Sequence, residues 1–192
     1  MMIRVIGLVL AAAGTSPNHA GSPDRASMAP APAEAQRQPL DDVAVRVLAA
    51  HNRERSAVGH PPLAWDPALA ASAASYGPVL ATLGYLVHSP RGDRPGQREN
   101  LAMAYGGTMT AEQLVGMWTA EKRLLVPGVF PNVSRTGHWK DVAHYTQMVW
   151  RTTTHVGCAL HRAEWDYLIC RYSPPGNVDG KPVFGWPPVA SR

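Results

Sequence analysis

The sequence predicts an α+β domain in which helices flank a small antiparallel sheet. Two apolar, cysteine-containing segments in "HVGCALHRAEWDYLICRY" can pair around a turn centred on Glu164. Upstream of them, several segments carry apolar residues at the three- to four-residue spacing of a helix face. The 192 residues, 45% of them hydrophobic, suffice to bury one core. The 18 prolines and 17 glycines predict long irregular connections between the elements.

The first 40 residues have the layout of an export signal followed by a linker. Met1 to Arg4 carries one positive charge, and the apolar run from Val5 to Ala13 is too short to span a bilayer. We therefore predict a signal peptide over residues 1–20 and a Pro/Ala-rich disordered linker over residues 21–40. The prediction is a secreted, extracellular protein, or a periplasmic one if the producer is bacterial, without a transmembrane segment.

The first two predicted helices have recognisable beginnings or spacing. Residues 41–56 carry apolar side chains at helical spacing and are followed by a loop. Asp66 and Pro67 mark a helix start, because the aspartate can cap the first turn and the proline needs no N–H there. The Gly77-Pro78 pair predicts a kink in this second helix.

The centre of the chain predicts one strand, two more helices and a long loop. The segment "ENLAMAYGG" is a short strand candidate that ends in glycines. Thr110 and Gln113 have the spacing of a capping box, so a helix begins there and is expected to run through Glu121. Residues 124–141 form a Pro/Gly-rich loop, and a short helix over residues 143–150 precedes the cysteine hairpin.

The two cysteine segments agree on one strand register. A turn centred on Glu164 aligns an opposite-charge pair, an aliphatic pair, a cysteine pair and one further apolar pair. These pairs are Arg162 with Asp166, Leu160 with Leu168, Cys158 with Cys170, and Val156 with Tyr172. Directly opposed residues lie about 4.5 to 5.5 Å apart at Cα, which a disulfide tolerates. In an oxidising compartment this predicts a Cys158–Cys170 disulfide, and the alternative is two free buried cysteines.

The charged residues predict a solvated surface. The formal net charge is +4, and the basic residues never form a run of five or more. They include Arg46, Arg53, Arg55, Arg91, Arg94, Arg98, Lys122 and Arg123. Such a distribution does not favour nucleic-acid binding. We expect a monomer.

Seven blocks of sequence occur in the order and rough spacing of the CAP superfamily, which contains the cysteine-rich secretory, antigen 5 and plant pathogenesis-related proteins. The blocks are "LAAHNRERSAVGHPPLAWDPALA", "VHS", "RENLA", "MWTAEK", "AHYTQMVWRTT", "VGCA" and "YLICRYSPPGN". The chain therefore resembles an SCP domain of this family over residues 41–186, which leaves a tail at 187–192. The resemblance implies a three-layer α-β-α sandwich around a small antiparallel sheet, with an open central cleft.

The resemblance also implies a tetrad of two histidines and two glutamates in the cleft. Its members are His88 from "VHS", Glu99 from "RENLA", Glu121 from "MWTAEK" and His144 from "AHYTQ". Taken singly, each would be interpreted as a surface or hydrogen-bonded core residue, and their spacing matches no local metal motif. The chain departs from the family beside two of them: Arg98 and Ala143 stand where glycine is usual. Arg98 is expected to alter the approach to Glu99.

Two imidazoles and two carboxylates that converge on a wet cleft suit a divalent cation such as Zn²⁺ or Mg²⁺, with water completing the shell. We assign His88 and His144 as the metal ligands. Glu99 and Glu121 are expected to act as direct ligands or as partners that fix the ring orientation. The metal is not expected to be required for folding.

Three functions remain open from the sequence. The first is a secreted binding protein that holds a lipid, a sterol or a metal ion, as family members are reported to do. The second is a defence or effector protein that engages an extracellular protein partner, with a structural cleft. The third is a hydrolase that uses Ser89, His88 and a glutamate. Adjacent residues rarely align for catalysis and no oxyanion motif is visible, so we expect no enzymatic activity and assign no catalytic residue.

Overall fold

The computed structural model describes residues 41–185, so the predicted signal peptide, linker and tail lie outside the described residues. The helices are α1 (Asp42–Ala57), α2 (Pro67–Ala74), α3 (Gly77–Leu83), α4 (Ala111–Thr119) and α5 (Ala143–Met148). The strands are β1 (Ala64–Trp65), β2 (Arg98–Tyr105), β3 (His155–Arg162) and β4 (Trp165–Ser173). Short 3₁₀ helices occupy Arg91–Asp93, Ala120–Leu124 and Trp139–Val142. Within residues 41–185, no helix combines the length and the apolar character needed to cross a bilayer.

The cysteine hairpin forms the centre of a four-stranded sheet with the order β1-β3-β4-β2. The predicted register is confirmed, because Cys158 lies opposite Cys170 and Arg162 lies opposite Asp166. The predicted Cys158–Cys170 disulfide is present. Strand β2 pairs antiparallel with β4, whereas β1 pairs parallel with β3. Strand β1 was not predicted from the sequence, because it is only two residues long.

Alternate residues of the sheet face two different helical layers. On one face, Leu168, Cys170 and Tyr172 join a core built with α1, α4 and α5. On the other face, Tyr167 and Ile169 pack against α2 and α3. Because side chains alternate along a strand, the central strand β4 is buried on both sides. The predicted α-β-α sandwich is therefore confirmed.

The helix starts follow the predicted caps, but three helix ends differ from the prediction. The Asp66 carboxylate caps α2, and Thr110 and Gln113 form the capping box of α4. At Gly77 the chain breaks into two helices instead of kinking, and a Cβ there would collide with the ring of His161. Helix α4 ends at Thr119, because the chain tightens into a 3₁₀ turn before the cleft. Helix α5 ends at Met148 and not at residue 150.

Arg55 and Arg94 are buried, so their assignment to the solvated surface is wrong. Arg55 is a structural residue. Its side chain leaves α1 and donates hydrogen bonds to four backbone carbonyls, those of Pro61, Met148, Trp150 and Thr153, over 2.7 to 3.1 Å. Burial lowers the pKa of Arg55 to about 10, so the guanidinium stays charged at neutral pH. This residue fixes α1 to the loop that follows α5.

A buried hydrogen-bonded chain connects α1 to the sheet. His51 Nδ1 donates to the Val47 carbonyl, and the Tyr172 hydroxyl donates to His51 Nε2, each over 2.8 Å. Asn100 Nδ2 donates in turn to the Tyr172 oxygen over 3.1 Å. Burial lowers the pKa of His51 to about 4; the Val47 bond opposes this and the nearby Arg55 adds to it. His51 is therefore neutral in the folded protein at neutral pH.

This neutral histidine predicts a loss of stability in mild acid. The unfolded chain protonates His51 below its ordinary pKa of about 6.5, whereas the folded chain does not until about pH 4. Stability therefore falls as pH decreases between these values. We expect the free energy of unfolding, measured with urea, to decrease by about 2 to 3 kcal/mol between pH 7 and 4.5 through this residue.

The control for this prediction is His51→Gln, which cannot titrate and should lose less stability over the same pH range. Burial also lowers the pKa of His60, and that contribution is present in both proteins. Equal pH-dependent losses in the wild type and the variant would contradict the prediction.

Candidate functional site

An open cleft of about 340 Å³ lies where the loop before β2, the start of β2 and the start of α5 meet. Three of the four predicted tetrad residues line it, namely His88, Glu99 and His144. The fourth, Glu121, lies behind His144 and contacts it directly. The fold therefore brings together residues that are far apart in the sequence.

Glu121 holds the first turn of α5. Its Oε1 accepts a hydrogen bond from His144 Nδ1 over 2.6 Å. Its Oε2 accepts from the backbone N–H groups of His144 and Tyr145, each over 3.0 Å. The imidazole also stacks on Trp118, with 6.0 Å between the ring centres and 16° between the planes. The 3₁₀ turn that ends α4 thus places a carboxylate where it both caps α5 and orients His144.

Glu99 holds His88 in the same manner as Glu121 holds His144. Its Oε1 accepts from His88 Nδ1 over 2.8 Å and from the Ser89 backbone N–H over 3.0 Å. Its Oε2 accepts from the Ser89 hydroxyl over 3.0 Å and pairs with Arg171 Nη2 at 3.1 Å. Burial raises the pKa of Glu99, but the His88 bond and the Arg171 charge outweigh it, so the pKa lies below its ordinary value.

These contacts decide the chemistry of the two imidazoles. An ionised carboxylate only accepts hydrogen bonds, so Nδ1 of both His88 and His144 must carry a proton. In the neutral ring the lone pair then lies on Nε2, and neither Nε2 has a hydrogen-bond partner within residues 41–185. Glu99 accepts from four donors and Glu121 from three, so both carboxylates act to orient the rings.

Within the described residues, the side chains of the cleft that suit a metal ion are two imidazoles, each with one free nitrogen. Over the described part of the chain, no group of three or more His, Cys, Asp or Glu side chains is arranged to hold a metal ion. The nitrogen ligands that the cleft offers to a metal ion are those of His88 and His144, and water or another ligand would have to complete the shell. This set fits zinc better than magnesium, since magnesium prefers oxygen ligands.

Ser89 does not form a nucleophile–base pair with His88. Its hydroxyl proton goes to Glu99, and its oxygen accepts from Arg94 Nε over 3.0 Å. Ser89 is also buried, with 3% of its surface exposed. A Ser/His/Glu relay needs the hydroxyl to donate to the imidazole, and this arrangement lacks that contact.

The cleft also contains three arginines that sequence reasoning did not identify as site residues: Arg91, Arg94 and Arg98. Arg98 turns away from Glu99, because its Nε and Nη2 donate to the carbonyls of Gly176 and Asn177 over 3.0 and 3.4 Å. The Arg98 guanidinium therefore does not contact the Glu99 carboxylate, and any effect of Arg98 on the approach to Glu99 is indirect. The signal in the sequence was three arginines within eight residues of one loop and the strand that follows it.

The second departure from the family pattern requires no unusual geometry. Ala143 begins α5 with a helical φ of −65° and ψ of −36°, which any residue adopts. Its carbonyl accepts hydrogen bonds from Thr146 and Asn177. Alanine therefore serves at this position as well as glycine.

Comparison with known proteins agrees with this architecture. The family model for CAP, the cysteine-rich secretory protein family, matches residues 48–172. The chain belongs to the CAP family. This CAP chain is 41% identical over 150 residues to a PR-1 type pathogenesis-related protein of Sambucus nigra, covering 77% of this chain and 82% of that protein. It is 43% identical over 141 residues to pathogenesis-related protein 1C of Nicotiana tabacum, covering 71% and 78%.

A solved structure supports the same assignment. The crystal structure of NaASP2 with Zn²⁺ superimposes on this CAP domain with a TM-score of 0.62 at 25% identity. The superposition covers 77% of this chain and 90% of that one. The chain is therefore a CAP domain of the PR-1-like type.

The buried pair of Glu99 and Arg171 predicts a large loss of stability for Glu99→Gln. Both side chains are at most 3% exposed, and Arg171 Nε and Nη1 have no partner among the described residues. Removing the carboxylate charge leaves Arg171 buried and uncompensated, so we expect about 3 to 5 kcal/mol of destabilisation in urea unfolding.

Glu164→Gln is the matched control, because Glu164 lies exposed in the hairpin turn, and we expect a change within about 0.5 kcal/mol. Adding Arg171→Met to Glu99→Gln should recover part of the lost stability. If Glu99→Gln lowers the free energy of unfolding by less than about 1 kcal/mol, the Glu99–Arg171 pair does not stabilise the fold as proposed.

Proposed function

We propose that this chain is a secreted, non-catalytic ligand-binding protein of the CAP family whose cleft binds a zinc ion through His88 and His144. The observation that carries the proposal is the pair of imidazoles held at Nδ1 by carboxylates, each with Nε2 left without a protein partner. Metal-binding histidines commonly donate their second ring nitrogen to a carboxylate in this way. When bound, the ion supplies a positive charge and open coordination positions for a further ligand.

Three further observations support this proposal. The similar NaASP2 was crystallised with Zn²⁺. The Cys158–Cys170 disulfide suits the oxidising compartment that a secreted protein reaches. The names of the PR-1 relatives favour a role in defence.

The arrangement supports binding more than catalysis. Ser89 gives its proton to Glu99, and Glu99 is occupied by four donors. Neither group is therefore free to move a proton to or from a substrate. Among the described residues, the polar groups that remain without an ion pair in the cleft include the two imidazole Nε2 atoms, the Asp179 carboxylate and the guanidinium groups of Arg91, Arg94 and Arg98.

Calorimetric titration with Zn²⁺ at neutral pH tests the proposal. The wild type should bind the ion, and the double variant His88→Ala/His144→Ala should bind at least about 100-fold more weakly, because it lacks both nitrogen ligands. Urea unfolding should show that the double variant remains folded, since Glu99 keeps Ser89 and Arg171 and Glu121 keeps its two backbone donors.

The matched control is His155→Ala, which removes an exposed histidine on β3 that does not line the cleft. Its affinity for zinc should equal that of the wild type. Absence of binding by the wild type, or equal affinity in the double variant, would overturn the metal site.

A further inference from the structure

One wall of the cleft carries three positive charges that form no ion pair within the described residues. Arg91, Arg94 and Arg98 line the cleft, and none of them forms a salt bridge within residues 41–185. The other described arginines that are buried or half-buried have different roles. Arg171 neutralises Glu99, and Arg55 is occupied by four carbonyls.

Two of the three guanidinium groups are fixed in place by the backbone. Arg94, only 7% exposed, donates from Nε to Ser89 and from Nη1 to the Gln97 carbonyl. Arg98 is held through the Gly176 and Asn177 carbonyls. Each keeps one terminal nitrogen free, Nη2 of Arg94 and Nη1 of Arg98, and neither nitrogen is sealed in the interior. Groups oriented in advance lose little conformational entropy on binding.

The electrostatics of this wall favour an anion. Burial, and then the positive charges of Arg91 and Arg94, lower the pKa of Arg98. Asp179 opposes this effect, and it is the one unpaired carboxylate among the described residues that line the cleft. Glu99, the other lining carboxylate, is already neutralised by Arg171. Three guanidinium groups against one carboxylate leave an excess of positive charge, which a bound anion would relieve.

The lining of the cleft also includes apolar side chains. Phe130, Pro131 and Trp139 line the same cleft, and Phe130 and Trp139 meet edge to face with 5.3 Å between their ring centres. Trp139 remains 39% exposed, although large aromatic side chains are usually buried more completely. An exposed indole beside a cationic wall offers a surface for the organic part of an anionic ligand.

We propose that the cleft binds a phosphate monoester, with its phosphate on Arg91, Arg94 and Arg98 and its organic group on Trp139. Guanidinium groups match the geometry of phosphate oxygens and form charge-assisted hydrogen bonds with them. A phosphate dianion has three terminal oxygens for the three arginines, whereas a carboxylate has two oxygens and half the charge. The proposal does not use His88 or His144 as ligands, so it does not require that the cleft binds zinc.

The test is calorimetric titration of the full chain with phenyl phosphate and with inorganic phosphate, after a chelating resin has removed metal ions. We expect both to bind, and phenyl phosphate to bind more tightly because of Trp139. Arg91→Gln and Arg98→Gln should each weaken phenyl phosphate by about tenfold or more, the usual effect of losing one charge-assisted hydrogen bond. Arg91 is the safer variant for folding, because it is exposed and donates no hydrogen bond within the described residues.

The matched control is Arg53→Gln, which removes the same charge from an exposed position on α1 outside the cleft. Its affinity should lie within about twofold of the wild type, because a distant exposed charge is screened by salt. The proposal would be overturned if the protein binds neither of the two phosphate compounds and also does not bind the lipid vesicles described next. An equal loss in Arg53→Gln and Arg91→Gln would also overturn it, because binding would then follow net charge alone. Equal affinities for the two phosphate compounds would overturn the role of Trp139.

Vesicle sedimentation identifies the source of the phosphate. Phosphatidylcholine vesicles with and without phosphatidic acid should be compared, since only phosphatidic acid presents a phosphate monoester. Binding that needs both phosphatidic acid and Arg91 assigns a lipid headgroup. Binding of phenyl phosphate without binding to either vesicle assigns a soluble organic phosphate. Equal binding to both vesicles would overturn the proposed monoester specificity. Because metal is absent throughout, these outcomes do not depend on the zinc titration.

Discussion

Saturation of two carboxylates with hydrogen-bond donors is the constraint on which the cleft depends. Glu99 and Glu121 each accept from one imidazole Nδ1 and from backbone N–H groups on the same segment. A single side chain therefore fixes both the backbone of its segment and the orientation of the ring that segment carries. The same contacts assign the tautomer of both histidines, because an ionised carboxylate cannot donate. The cleft is open, yet its functional side chains are held from behind by buried groups.

The constraint extends into the core through Asn100. Its side-chain amide donates to the His144 carbonyl over 3.0 Å and to the Tyr172 hydroxyl over 3.1 Å, and Tyr172 in turn contacts His51. The cleft thus shares one hydrogen-bonded network with the interface between α1 and the sheet. The positive charges of Arg91, Arg94 and Arg98, the arginine wall of the cleft, disfavour the binding of a cation nearby. A bound phosphate would offset these charges. The two kinds of ligand would therefore influence each other's affinity.

Local chemistry made much of the fold predictable from the sequence. The hairpin register followed from four residue pairs around one turn, and the starts of α2 and α4 followed from their caps. The α-β-α layering came from the family resemblance, since periodicity does not say which helices share a face of the sheet. Strand β1 was missed because two residues show no alternation. Arg55 was misassigned because no local signal reveals carbonyls that converge from residues 61 and 148–153.

The candidate site was likewise predictable only in part from the sequence. The tetrad was found only by resemblance, because His88 and His144 lie 56 positions apart and neither matches a local metal motif. The roles of the glutamates as orienting groups could not be predicted, since they depend on backbone N–H groups that only the folded loops present. The arginine wall was missed because a charged Pro/Gly-rich loop is usually solvated. Here the backbone holds Arg94 at 7% exposure.

The most direct measurement of the central claim is the tautomeric state of His88 and His144 by ¹⁵N-resolved NMR of the metal-free protein, at a pH where both rings are neutral. Because both rings donate to a carboxylate, both should carry their proton on Nδ1 and keep the lone pair on Nε2. His51, whose Nδ1 donates to the Val47 carbonyl, provides an internal reference for this tautomer. Protonation of Nε2 with a bare Nδ1 in either cleft histidine would contradict the carboxylate-held arrangement from which the proposed zinc site follows.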